Sequence, residues 1–228
     1  MMHCMTNRLP AIDYRPPPHT GLDIQFQDQS LLVLNKQSGL LSVPGRGPDK
    51  QDSLAWRVQQ EYPEALTIHR LDMETSGLVV MAKNTQIHRQ MSLLFQERHV
   101  QKQYIAVVDG LIEQADGKID LPLITDWPNR PMQKVDHDAG KASVTHYKVI
   151  AQDAQLLTSR VELRPITGRS HQLRVHMQSL GHAILGDRLY GSDRVQEKAQ
   201  RLLLHACRLA FRHPVTHESL DFTHETPF

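Results

Sequence analysis

Cysteine is nearly absent: the 228 residues contain only Cys4 and Cys207, and no CxxC occurs. That excludes a disulfide scaffold and a zinc finger and makes a reduced cytoplasm the default compartment. No run approaches the roughly 18 apolar residues that a membrane helix needs, and the N-terminus lacks the apolar core of a signal peptide. An excess of either charge is missing too, with 26 Lys plus Arg against 25 Asp plus Glu and a net charge of +1. A surface for a polyanion must therefore be a local patch and not a whole-molecule field. No internal repeat occurs, and the only low-complexity block is Pro16-Pro17-Pro18.

What the chain does have is an ordinary globular balance, 39% hydrophobic and 22% charged, with enough length to bury a substantial core. Residues 1–20 carry no periodicity and are expected to form a flexible tail ahead of a single domain, 21–228. Strand-like stretches are expected at 22–26, 31–36, 77–82, 102–109, 144–150, 156–163, 202–211 and 219–223. Ser53 is placed to cap a helix over 54–62 that Pro63 ends, and Thr85 to cap one whose face carries Ile87, Met91, Leu94 and Phe95. A third helix should open after residues 167–170, bury Leu173, Met177 and Leu180, and stop at Gly181. Residues 110–142 read as turn-rich. Because strands do not alternate strictly with helices, the fold class is α+β, with a mixed, mostly antiparallel sheet flanked by helices.

The chemistry concentrates at His69-Arg70-Leu71-Asp72-Met73-Glu74-Thr75-Ser76-Gly77, a polar cluster between runs of β-formers. Such a connection displays side chains at strand ends, and Asp72 is the candidate catalyst. The same residues also build ordinary turns, since Asp and Ser bond nearby backbone and Gly accepts positive φ. A second cluster is Ile166-Thr167-Gly168-Arg169-Ser170-His171-Gln172-Leu173-Arg174-Val175-His176. Between Arg160 and His176 lie four Arg and one Glu, a segment suited to phosphates. The spacing of His171 and His176 does not put both on one helix face, and no metal is expected.

The run His69-Arg70-Leu71-Asp72-x-x-Thr75-Ser76-Gly77 resembles the signature of the RluA family of pseudouridine synthases. The likeness extends from about Gly21 to Pro227 through Leu34-Asn35-Lys36-x-Ser38-Gly39, Leu203-Leu204-His205-Ala206 and His213-Pro214, with Gln37 where the family often has proline. The resemblance implies isomerisation of uridine to pseudouridine in RNA, without a cofactor. It makes Asp72 the catalytic carboxylate, Arg169 the arginine paired with it, and Tyr104 the ring stacked on the reacting uracil. Arg70 would fill the gap left by the everted uridine, Leu173 would border the pocket, and His69, Thr75, Arg174 and Arg130 would contact RNA. Residues 126–131, and the lack of a preceding basic module, resemble the compact subtype. That implies a monomer acting on a loop uridine of 23S ribosomal RNA and one in a tRNA anticodon stem-loop.

Physical reasoning agrees that a carboxylate in a partly dry cleft needs a guanidinium beside it to stay charged. The 14 His would add charge on mild acidification, so RNA affinity is expected to rise modestly there. Two other readings compete. A non-catalytic binder of RNA loops would tolerate Asp72→Asn, and a glycosidase-like hydrolase would need a second carboxylate, for which Glu74 is the nearest candidate. The sequence leaves open whether Asp72 attacks ribose C1′, adds to uracil C6 or abstracts the 2′ proton.

Overall fold

The computed structural model describes residues 14–228; Cys4 and most of the expected tail lie outside the described residues. The part of that tail that is described is docked. Tyr14 is buried, its hydroxyl donating to the Asp52 carbonyl (2.8 Å) and accepting from the Leu41 amide (3.1 Å). Arg57, itself paired with Asp52, donates to the Pro17 carbonyl at 2.6 Å. The expectation of a flexible tail through residue 20 therefore fails for 14–17, because an aromatic anchor and a backbone carbonyl find partners on the domain.

Strands β1 (Ile24–Gln27) and β2 (Leu31–Lys36) form a hairpin whose turn is closed by Asp28, which accepts from the amides of Ser30 and Leu31. Helix α1 (Leu54–Glu61) is capped by Ser53, as the sequence suggests. Then follow β3 (Leu66–Thr67), β4 (Ser76–Ala82) and α2 (Thr85–Gln96). The cap of α2 is Asn84, not Thr85: its side-chain oxygen takes the Ile87 amide at 2.9 Å. Strand β5 (Gln101–Asp109) leads into the stretch expected to be turn-rich, which also holds β6 (Asp116–Asp120) and a small ribbon, β7 (Leu123–Thr125) with β8 (Gln133–Val135). After β9 (Val144–Asp153) and β10 (Thr158–Pro165) come α3 (Gln172–Ser179), a short α4 (Asp193–Glu197), β11 (Leu204–Arg212) and β12 (Ser219–Thr223). Leu180 lies past the end of α3 and is 39% exposed, so of the expected buried stripe only Leu173 and Met177 hold.

Ten strands form one sheet in the order β1-β2-β4-β11-β5-β10-β9-β6, with β3 on β4 and β12 on β11. Among the described residues only β4 and β11 pair in parallel; the remaining ladders are antiparallel, which bears out the α+β expectation. Period-2 alternation splits β2 and β4 between two cores. Leu32, Leu34, Val79 and Met81 face α1, while Leu31, Val33, Leu78 and Val80 face α2. A third cluster, Val161, Leu163, Leu173, Met177 and neighbours, seats α3 on β5 and β10. Tyr104 packs against both the α1 and the α3 clusters and so marks their seam.

Candidate active site

The sheet register decides what meets at that seam. Gly77 of β4 pairs with Ala206 of β11, Ala206 with Tyr104 of β5, and Tyr104 with Leu163 of β10. Gly77 has φ +117, and a Cβ there would lie 2.4 Å from the Ala206 carbonyl oxygen, so the parallel junction closes only around glycine. The loop 70–75 enters β4 immediately before this junction, which brings Asp72 and Tyr104 to one cleft.

That loop is pinned from one side by the segment after β2. Ser42 both donates to the Leu71 carbonyl (2.6 Å) and accepts the Leu71 amide (3.1 Å). Gly39 donates its amide to the Met73 carbonyl, and Ser38 its hydroxyl to the Glu74 carbonyl. Lys36, wholly buried, donates to the carbonyls of Gln37, Leu40 and Met73 at 2.6–3.0 Å. Burial pulls its pKa down to about 7, with Asp72 and Glu74 opposing. Three acceptors need three N–H donors, which only the ammonium has, so Lys36 is read as charged.

The Asp72 carboxylate is 28% exposed and faces a cleft of about 100 Å³ lined by Arg70, Thr75, Lys102, Tyr104, Arg169, His171, Leu173 and Arg174, among others. Its Oδ2 is 3.7 Å from Arg174 and its Oδ1 is 3.9 Å from Nε2 of His171. Arg174 is buried on α3 and makes a bidentate pair with the fully buried Asp187, at 2.8 and 2.6 Å. Burial works against this guanidinium, but bonding to Asp187 and the charge of Asp72 raise its pKa overall. Burial, and then the charge of Asp72, push the Tyr104 phenol up, so its ring stays neutral.

The expected pairing of Asp72 with Arg169 is therefore corrected. Arg169 is exposed on the turn before α3; it lines the cleft, but its Nε reaches the Ala142 carbonyl at 3.4 Å and no ion pair with Asp72 forms. The place is taken from inside the helix, where Arg174 reaches the cleft from the first turn of α3. His69 is also corrected. Its ring stacks on Phe95 at 4.6 Å, its Nε2 accepts from the Val80 amide, burial pulls its pKa down to about 3, and it does not line the cleft. Arg70, Thr75 and Leu173 do line it. Arg130 lies apart, stacked on Trp127 (4.5 Å) at the tip of the β7–β8 ribbon, with Trp127 65% exposed. Glu74 lines a different groove, of about 650 Å³, behind the loop, and supplies no second carboxylate to the Asp72 cleft. Burial also lowers the pKa of His171, which lines the cleft, and of His176 and His205, which do not, so mild acidification adds less charge than a count of histidines suggests.

Two participants escaped the sequence reading. Lys102 enters the cleft two residues before Tyr104, on the same strand face, its ammonium making no hydrogen bond or ion pair among the described residues. Tyr190 touches both His171 and Arg174. Only the alternation of β5 signals the first, and nothing local signals the second.

A family model described as RNA pseudouridylate synthase matches residues 30–179. The chain belongs to this family. It is accordingly a pseudouridine synthase, an isomerase that acts on uridine in RNA. The chain is 51% identical over 210 residues to the dual-specificity RNA pseudouridine synthase RluA of Escherichia coli K12, covering 92% of this chain and 95% of that one. It is 50% identical to the protein of the same name from Vibrio parahaemolyticus, covering 90% and 84%. Among solved structures, human RNA pseudouridylate synthase domain containing 1 superposes with a TM-score of 0.77 at 29% identity, covering 94% and 87%. Family membership removes the non-catalytic binder and the hydrolase as readings of the whole chain. Among the described residues no helix is long and apolar enough to cross a membrane.

Proposed function

We propose that Asp72 carries out the isomerisation, that Arg174 keeps it charged, and that Tyr104 stacks on the everted uracil. The observation that carries this reading is the Asp72–Arg174 approach beside the Tyr104 ring in a cleft sized for a single flat ring, well under the roughly 300–1,000 Å³ of sites for larger ligands. Isomerisation breaks the bond from ribose to N1, turns the base in place and rejoins it through C5. Each course available to Asp72 begins from the ionised carboxylate, which a guanidinium favours in a desolvated site. The pocket must also replace the neighbours that the base loses on leaving its stack.

The cleft concentrates the positive charge that the whole chain lacks. Four cations line it, Arg70, Lys102, Arg169 and Arg174, against Asp72; with Arg174 also neutralised by Asp187, two positive charges remain in excess. Arg70, Lys102 and Arg169 then hold phosphates on either side of the everted nucleotide. Thr75 and Leu173 shape the pocket floor, and Trp127 with Arg130 offers a stacking surface to a neighbouring loop base. His69 has no RNA contact in this scheme.

The named relatives are dual-specificity enzymes, which supports a substrate range covering a ribosomal RNA loop and a tRNA anticodon stem-loop. One chain supplies every residue invoked, so the working unit is read as a monomer; specific activity that rises with enzyme concentration would refute it. For the chemistry, RNA tritiated at uracil C5 should release label to water with the native protein and not with Asp72→Ala. Release at the native rate by a folded Asp72→Ala protein would overturn the assignment.

A further inference from the structure

The hydrogen bonds around Tyr190 leave neutral His171 a single tautomer. The Tyr190 oxygen accepts from the backbone amide of Gln133, on β8, at 2.8 Å, and an amide N–H can only donate. Its other polar contact is Nδ1 of His171 at 2.7 Å. Were the oxygen to accept there too, its own O–H would be buried without an acceptor, which is costly. Burial pushes this phenol up to about 12, so it keeps its proton. Tyr190 therefore donates to Nδ1, and the imidazole proton sits on Nε2, the nitrogen 3.9 Å from Asp72 Oδ1.

The backbone is consistent with a side chain committed to this arrangement. His171 occupies the N-cap of α3 yet makes no capping bond, and its φ of 54° lies in the left-handed region that few non-glycine residues adopt. Strain of this kind collects where a side chain has a task besides folding. With Arg174 beside Oδ2 and His171 beside Oδ1, each carboxylate oxygen has a donor facing it.

We infer that His171 is a positioning residue for Asp72, held as the Nε2–H tautomer by Tyr190, and that Tyr190 ties it to the β7–β8 ribbon bearing Trp127 and Arg130. The inference rests on the reading of Asp72 as the reacting group. At 3.9 Å the contact is longer than a hydrogen bond and closes when the everted base fills the cleft; such bonds often tighten only with substrate. The titratable and charged groups facing the imidazole are Asp72 from the loop before β4, Arg174 on α3, and Asp187 and Tyr190 from the segment after it, with Arg70, Lys102 and Arg169 lining the same cleft. Burial lowers the Lys102 pKa, so a pH series is best ended at 8.

Tyr190→Phe removes one oxygen and frees the tautomer. With the proton on Nδ1, a lone pair of Nε2 faces the carboxylate; protonating the ring restores N–H at both nitrogens. At saturating RNA, kcat of Tyr190→Phe should be at least about fivefold below native at pH 8. The gap should narrow as acid protonates the ring, whose pKa burial holds below its ordinary value, with KM for RNA within about twofold. His171→Gln, which cannot change tautomer, should show a deficit that does not vary with pH. A ratio of native to Tyr190→Phe activity that stays constant from pH 8 down to the pH at which nitrogen-15 shifts show the His171 ring protonating overturns the inference. So do nitrogen-15 shifts of the native protein that place the His171 proton on Nδ1, a measurement that stands even if the variant does not fold. Tritium release by Asp72→Ala would instead sink the reading beneath it, so the two failures are told apart.

Discussion

Removing the Arg174 guanidinium tests the site and the fold together. The side chain is 4% exposed, and its bidentate partner Asp187 is 0% exposed, so Arg174→Met strands a carboxylate inside the protein. Breaking a buried pair by deleting one partner costs roughly 3–5 kcal/mol. Asp187 still accepts the amides of Leu189 and Tyr190 (3.0 and 3.1 Å), which places the expected loss near the lower end, about 3 kcal/mol. For a domain of this size each kcal/mol moves Tm by about 2–4 °C, so thermal denaturation should show a fall of about 6–12 °C. Turnover measured well below that Tm should drop by about 100-fold or more, because among the described residues Asp72 then keeps no guanidinium within 4 Å. Asp187→Asn separates the two effects: it should cost comparable stability while leaving Arg174 beside Asp72, and kcat should stay within about tenfold of native. An Arg174→Met protein with native kcat, or equal kcat losses in the two variants, would refute the claim that Arg174 acts through Asp72.

The Lys102 ammonium has no hydrogen-bond or ion-pair partner among the described residues, and replacing it should be read as the loss of one phosphate contact. Lys102→Gln should raise KM for RNA, preserve kcat, and make log K against log salt shallower by about 0.7; salt plots parallel to native would remove it from the RNA surface. On the acid side, burial depresses four imidazoles, His69 to about 3 and His205 to about 4, with His171 and His176 also lowered. An unfolded chain protonates them near 6.5, so between about pH 6.5 and 3 the unfolded state binds more protons and stability falls as pH drops, while above 6.5 they contribute no slope. Urea midpoints should decline over that window and decline less steeply in His69→Gln, whose amide oxygen can still accept from Val80; identical slopes would show that His69 is not among the groups responsible.

Most of the fold is legible in the sequence because its signals are local. The apolar run Leu31–Leu34 marks a strand, and the period-2 geometry of a strand puts Leu32 and Leu34 against α1 and Leu31 and Val33 against α2. Ser53 before an apolar face gives the start of α1. Where reading fails, a neighbour competes or the partner lies far away. Asn84 and Thr85 are both capable caps, and only the geometry selects Asn84. The strands of 110–142 are three to five residues long and interrupted by proline, too short for a periodic signal to rise above turn chemistry. The docking of 14–17 depends on Asp52 and Arg57, about 40 residues away, and has no trace in the composition of the segment itself.

The site shows the same division. The sequence singles out Asp72, Tyr104 and the turn before α3, and the structure brings all three to one cleft, but the resemblance points to Arg169 as the paired arginine where the structure has Arg174. A turn with Gly168 looks like the place from which an arginine projects into a cleft. Arg174, one residue past Leu173 and three before Met177, sits beside the apolar stripe of its helix and so looks like an exposed residue of that helix. What overrides the pattern is nonlocal. Asp187 lies 13 residues further along the chain, outside any helical repeat that includes Arg174, and its buried carboxylate is what allows a guanidinium to be held inside α3 at all. Arg169 has no such carboxylate beside it, and it stays on the surface with a single long contact to a backbone carbonyl. The arginine that reaches Asp72 is thus the one whose burial a second acid makes possible, and that acid is visible only once the chain has folded back on itself.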